Sequence, residues 1–280
     1  MTALQEAFAR ARAEGRALLI GYLPSGFPDQ ARGEALAVAM VEAGVDVVEV
    51  GLPYSDPLMD GPVIQAAVHQ SLCNGSSVAH VLQTVSAVAA TGAPTLVMSY
   101  WNPIERVGVA PFARRLAEAG GVGVITPDLT PEEAGPWLGA TDEAGLQRVF
   151  LVAPSSTDAR IAAVAGVTSG FVYAASTMGV TGARGSVGAG ARELVARVRQ
   201  ATDLPVAVGL GVSSGEQAAE VAAYADGVIV GSAFVQRILA AADQDAALAA
   251  VRELARELAE GVRRGAARRN APADGGYTYL

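Results

Sequence analysis

Two carboxylates stand eleven residues apart in the stretch VDVVEVGLPYSDPLMDGPVIQ, residues 45–65. Glu49 lies inside an apolar run of the kind that forms a strand buried on both faces. Asp60 closes a segment broken by Pro53, Pro57 and Pro62, which reads as a loop. A carboxyl forced into apolar surroundings has a raised pKa, and one nearer water stays ionised; two acids separated in this way can divide acid–base work. The bland alternatives are a buried structural acid paired with an arginine for Glu49 and a turn-forming loop acid for Asp60.

A second group of residues suggests an anion site. The glycines of VGLGVSSGEQ (Gly209, Gly211) leave backbone amides uncovered after an apolar run. In VIVGSAF, Gly231 and Ser232 would open a short helix, SAFVQRIL, with its first amides facing outward. Any one of these glycines could serve only a tight turn. Together with the glycine-rich STMGVTGARGSVG, which includes Thr181 and Gly182, they form a pattern suited to phosphate.

Composition removes several chemistries. All 20 basic residues are arginine, so no lysine Schiff base can form. His69, His80 and the single Cys73 form no metal-ligand cluster, and no internal disulfide is possible. A net charge of −8 with scattered arginines argues against nucleic acid or an anionic membrane as the main partner. An anion must therefore be held by local devices such as neutral amides and a helix dipole. The N-terminal MTALQEAFARARAEGR has no signal-like apolar run, so a cytoplasmic protein is expected.

The elements that must position these residues follow from periodicity. Eight short β-type runs occupy 17–24, 45–53, 95–101, 121–128, 147–154, 170–176, 204–212 and 227–234, with helix-like segments between them. The expectation is one domain over 1–280: a (β/α)₈ TIM barrel over 16–264, an extra N-terminal helix within 1–15 and a short helix after strand eight. A long helix is expected near 244–264, and the polar 265–280 is expected to fray. A doubly wound sheet is the rival. The strand exits favour the barrel, because Glu49, Asp60, Tyr100, Asn102, Asp128 and Tyr173 gather there.

VEVGLPYSDPLMDGPVIQ, GVTGARGSVG, VGLGVSSGEQ and VIVGSAFV resemble segments of the tryptophan synthase α subunit family, in register from about residue 16 to 240. The resemblance implies cleavage of indole-3-glycerol phosphate to indole and D-glyceraldehyde 3-phosphate. It also implies an α₂β₂ heterotetramer in which indole passes to a β subunit carrying pyridoxal phosphate, this chain holding no cofactor. In that family Glu49 would protonate indole C3 and take the glycerol hydroxyl proton, while Asp60 would stay ionised near water and accept the indole N–H. Tyr173 would position Glu49, or be a core tyrosine. Tyr22, Ile64 and Tyr100 would line an apolar indole pocket, or simply pack. Thr181 and Gly182 would belong to a lid, and Pro53, Asp56, Pro57 and Asn102 would face the β subunit. The chain departs from some members in having Thr177 and Met178 where they carry arginine, and it matches only loosely in the N-terminal helix and after 260. A free-standing lyase and a catalytically silent barrel that binds a phosphorylated ligand are the alternatives; loss of one acid would mark the latter.

Overall fold

The computed structural model describes residues 1–175, 187–209 and 211–270. Its strands are β1 (Leu18–Pro24), β2 (Val47–Gly51), β3 (Thr95–Met98), β4 (Gly123–Ile125), β5 (Gln147–Val149), β6 (Leu151–Val152), β7 (Val172–Ala175), β8 (Val206–Gly209) and β9 (Gly227–Val230). The helices are α1 (Ala3–Ala13), α2 (Gln30–Glu42), α3 (Pro62–Cys73), α4 (Val78–Ala89), α5 (Trp101–Val107), α6 (Val109–Glu118), α7 (Gly135–Ala144), α8 (Asp158–Val167), α9 (Val187–Ala201), α10 (Gly215–Ala222), α11 (Ser232–Ala240) and α12 (Gln244–Asn270).

All strand pairs are parallel, in the order β5-β4-β3-β2-β1-β9-β8-β7-β6. The two ends of that order, β5 and β6, are pieces of one run divided at Phe150, so the ring closes through the chain itself. The expected TIM barrel is present; its fifth run is split, which makes nine strands of eight.

Alternation with period two sorts the strand residues. Leu18, Ile20, Val47, Leu96, Ile125, Val149, Ala207 and Ile229 form a core inside the barrel, whereas Val48, Val50, Val97, Val124, Val172 and Val208 join the shell between strands and helices. The same parity turns Tyr22, Glu49 and Tyr173 inward at the strand exits.

Helix α1 closes the opposite end. A capping box at Thr2 and Gln5 starts it, and Leu4, Ala7, Phe8 and Ala11, spaced to share one face, complete the inner core. Phe8 lies 5.7 Å from Phe171, which stacks on Tyr173 at 6.5 Å, so apolar contact runs from this floor to the site. At the other terminus α12 runs to Asn270, past the expected stop near 264 and into the segment expected to fray. Close helix packing extends it: a Cβ on Gly261 would come 2.0 Å from the Gly215 carbonyl, and one on Gly265 would come 2.3 Å from that of Ala219. Among the described residues no helix is long and apolar enough to cross a membrane, and no His/Cys/Asp/Glu cluster could hold a metal ion.

Candidate active site

Glu49 sits in the middle of β2, only 1% exposed. Neither carboxyl oxygen has a hydrogen-bond partner among the described residues, so no arginine makes it a structural acid. Burial alone pushes its pKa from the ordinary 4.5 up to about 8, which favours the protonated acid at neutral pH.

Glu49 opens into a cavity of about 440 Å³ at the strand exits. The sequence-predicted Tyr22, Asp60, Ile64, Tyr173, Gly209, Gly211, Gly231 and Ser232 all line it. Asp60 reaches it from the loop before α3, one residue ahead of the helix N-cap Gly61. It is more open to water than Glu49 yet drier than expected: burial raises its pKa, and hydrogen bonding with the Tyr100 hydroxyl opposes the rise.

Two tyrosines reach the cavity because glycines make room. A Cβ on Gly51 would lie 2.3 Å from the Tyr22 hydroxyl, and one on Gly209 would lie 2.5 Å from the Tyr173 hydroxyl. Each ring thus leans over the exit of the next strand. Burial and the nearby Glu49 and Asp60 carboxylates all raise both phenol pKa values, keeping the hydroxyls protonated.

The rim at the start of α11 is built from backbone. Gly231 is the N-cap of α11 without a side-chain cap, and the Val235 amide is the one that returns to the Gly231 carbonyl, at 3.2 Å. The first-turn amides of α11 therefore lack intrahelical partners, at a helix start whose Gly231 and Ser232 line the cavity. Gly211, beside them, adopts a left-handed φ of 70° that glycine takes without strain. Gly231 has a second task, since its Cβ would come 3.1 Å from the Tyr22 ring. No cation lines the cavity among the described residues.

Tyr100 is not part of the wall. Strand parity gives that position to Met98, and Tyr100, the N-cap of α5, sends its hydroxyl to the loop instead, accepting from the amides of Leu58 at 3.1 Å and Met59 at 3.0 Å. Sequence reasoning missed Met98, Leu151 and Ile229 in the cavity, and Gln236 one turn into α11. Counting alternate residues outward from Glu49 and Tyr173 would have found the strand members.

Other expected positions separate. Asp56 is exposed and accepts a hydrogen bond from the Ser55 hydroxyl at 2.6 Å, Pro57 is half-buried, and Asn102 is exposed on the first turn of α5. Pro53 is buried, because the Leu52 amide still bonds to the Met98 carbonyl and draws the chain against the sheet; it presents no surface to a partner. His69 and His80 lie on helices away from the cavity. Thr177, Met178, Thr181 and Gly182 lie outside the described residues. A larger groove of about 670 Å³ lies among α2, α4 and α6, away from the strand exits and without a pair of opposed acids.

Residues 8–263 match the family model for the tryptophan synthase alpha chain. The chain is 60% identical over 266 residues to the tryptophan synthase alpha chain of Thermobifida fusca, covering 94% of this chain and 98% of that one. It is 58% identical over 261 residues to that of Streptomyces coelicolor, covering 93% and 96%. The fold superposes with a TM-score of 0.86 and 50% identity on the aminoacrylate-bound crystal form of tryptophan synthase from M. tuberculosis, covering 94% of this chain and 100% of the other. Tryptophan synthase subunit alpha from Legionella pneumophila str. Paris gives 0.83 at 31% identity, covering 94% and 98%.

Proposed function

The chain belongs to the tryptophan synthase alpha chain family, the lyases that cleave indole-3-glycerol phosphate in tryptophan biosynthesis, and from that premise we propose that Glu49 and Asp60 divide the proton transfers of the cleavage. Glu49, protonated in the free enzyme, gives its proton to indole C3 and turns the ring into an indoleninium. Asp60 accepts the ring N–H and stabilises the positive charge that develops there. The Glu49 carboxylate then removes the proton of the glycerol hydroxyl next to the ring. As that oxygen becomes the aldehyde carbonyl, the carbon–carbon bond breaks and its electron pair restores the indole. The proton taken from the hydroxyl stays on Glu49, so the acid is regenerated.

The α11 amides and Gly211 are the proposed phosphate site, supported by neutral donors and a helix dipole that suit an acidic chain. The apolar side chains of Ile64, Met98, Leu151 and Ile229 receive the indole. In the α₂β₂ reading, the partner β subunit brings pyridoxal phosphate, this chain brings no cofactor, and the complex works in the cytoplasm.

The observation that carries the catalytic assignment is a fully buried carboxyl without a hydrogen-bond partner among the described residues, sharing a substrate-sized cavity with a second carboxyl. Pure protein given indole-3-glycerol phosphate should release indole. Glu49→Gln should bind the substrate yet turn it over ~10²–10⁴-fold more slowly. Near-parental indole release by that variant would remove Glu49 from the chemistry.

A further inference from the structure

We propose that Tyr100 is a positioning residue for the cleavage, its hydroxyl clasping the Leu58–Asp60 loop so that the Asp60 carboxylate is held at the rim of the cavity. The inference rests on the assignment of Asp60 given above.

One phenol oxygen accepts both loop amides, Leu58 at 3.1 Å and Met59 at 3.0 Å. Those two bonds use its acceptor capacity and leave its own proton to donate. The carboxylate next in the chain is the group it stabilises. The loop needs such a tie: Leu58 is 76% exposed and Met59 52%, so side-chain packing fixes little of it.

Tyr100 is itself well anchored. It is 5% exposed, its ring lies 5.5 Å from that of Tyr54, and the next amide, Trp101, bonds to both oxygens of Asp128 at 2.9 and 3.1 Å. Trp101 in turn meets Trp137 edge-on at 5.7 Å. The hydroxyl is therefore a fixed post at the β3 exit, and the exposed loop is what it ties down. Because Tyr100 does not line the cavity, its contribution should fall on orientation rather than on substrate affinity.

Tyr100→Phe keeps the ring and removes the clasp. The expected result is a kcat lower by ~10–100-fold with KM close to parental. The acid limb of the kcat–pH profile should also move upward, because Asp60 loses a donor to its ionised form. The titratable groups facing Asp60 besides Tyr100 are Tyr22 from β1, Glu49 from β2 and Tyr173 from β7, and the substitution leaves all three in place.

An unchanged kcat, a rise in KM alone, or a loss of kcat with the acid limb unmoved would each overturn the inference; the last is what a merely structural tyrosine would give. Amide exchange in the parent enzyme supplies a measurement that does not depend on the variant folding. Leu58 and Met59 should be protected relative to Asp56, and no protection would refute the clasp. Asp60→Asn separates the two assignments. If it is strongly impaired while Tyr100→Phe is not, only the clasp falls; if Asp60→Asn works like the parent, the role of Asp60 falls and the clasp falls with it.

Discussion

Glu49 shows how one buried group ties pH to both activity and stability. With its pKa near 8, the free enzyme holds the acid form through neutral pH, and kcat/KM should decline as pH rises through that value. The same shift acts on folding. Below about pH 4.5 the carboxyl is protonated in both the folded and unfolded chains and has no differential effect. Between 4.5 and 8 the unfolded chain has released the proton that the native state still holds, so stability falls across that window and levels above it. The full effect is on the order of 5 kcal/mol by the usual conversion. Glu49→Gln, which cannot ionise, should therefore gain stability over the parent as denaturant unfolding is repeated from pH 5 to 8. A constant difference at all pH values would show that Glu49 is not held neutral by burial. The carboxyl itself was legible in the sequence because an acid inside an apolar strand run is anomalous. The clasp by Tyr100 was not, because the target of its hydroxyl depends on how the β2 loop folds back over the β3 exit.

At the level of elements, the cavity is shaped by parity and by glycines. Along β1 and β7 every second residue faces inward, and the glycine at the exit of the next strand, β2 or β8, admits a tyrosine hydroxyl that a methyl group would displace. Gly209→Ala would place a Cβ 2.5 Å from the Tyr173 hydroxyl and 2.9 Å from the nearest ring carbon. Overpacking of that order costs roughly 1–3 kcal/mol. Tyr173→Phe removes the closer atom and should recover part of the loss, so a double-mutant cycle in unfolding free energy should show coupling of roughly 0.5–3 kcal/mol. Strict additivity would mean that the two side chains do not share this space. The sequence pointed to Gly209 through its strand-end position and suggested an anion. The close approach to Tyr173 is a second use of that glycine, invisible until two neighbouring strands are in register. For α1 the helix itself was legible from its spacing, but its task as the barrel floor emerges only from the packing of Phe8 on Phe171.

Across the whole molecule, eight apolar runs alternating with helices were enough to indicate the barrel, since strand exits concentrated the unusual residues on one end. The split at Phe150 and the helical 265–270 were not legible, because the first depends on local sheet geometry and the second on glycines that let α12 press against α10. A docking surface for the β subunit is proposed beside the chemistry. Among the described residues four large apolar side chains are exposed, Met1, Leu58, Met59 and Leu239, and two of them adjoin on the loop that ends in Asp60. An exposed apolar pair two residues beyond the exposed Asp56 fits a protein partner better than water. Met59 also lines the cavity, so burying it beneath a partner would restrain the loop that presents Asp60. Asp56 and Leu58 do not line it, and substitutions there should leave the activity of the isolated chain near parental. Leu58→Ser should raise the β-subunit concentration needed for half-maximal stimulation by about tenfold, as expected for loss of an apolar anchor. Asp56→Ala, a rim charge, should raise it by only about two- to fivefold. Titrating the cognate β subunit against both variants tests the ordering. Curves identical to the parent's would place the docking face elsewhere and leave the exposed leucine without a partner.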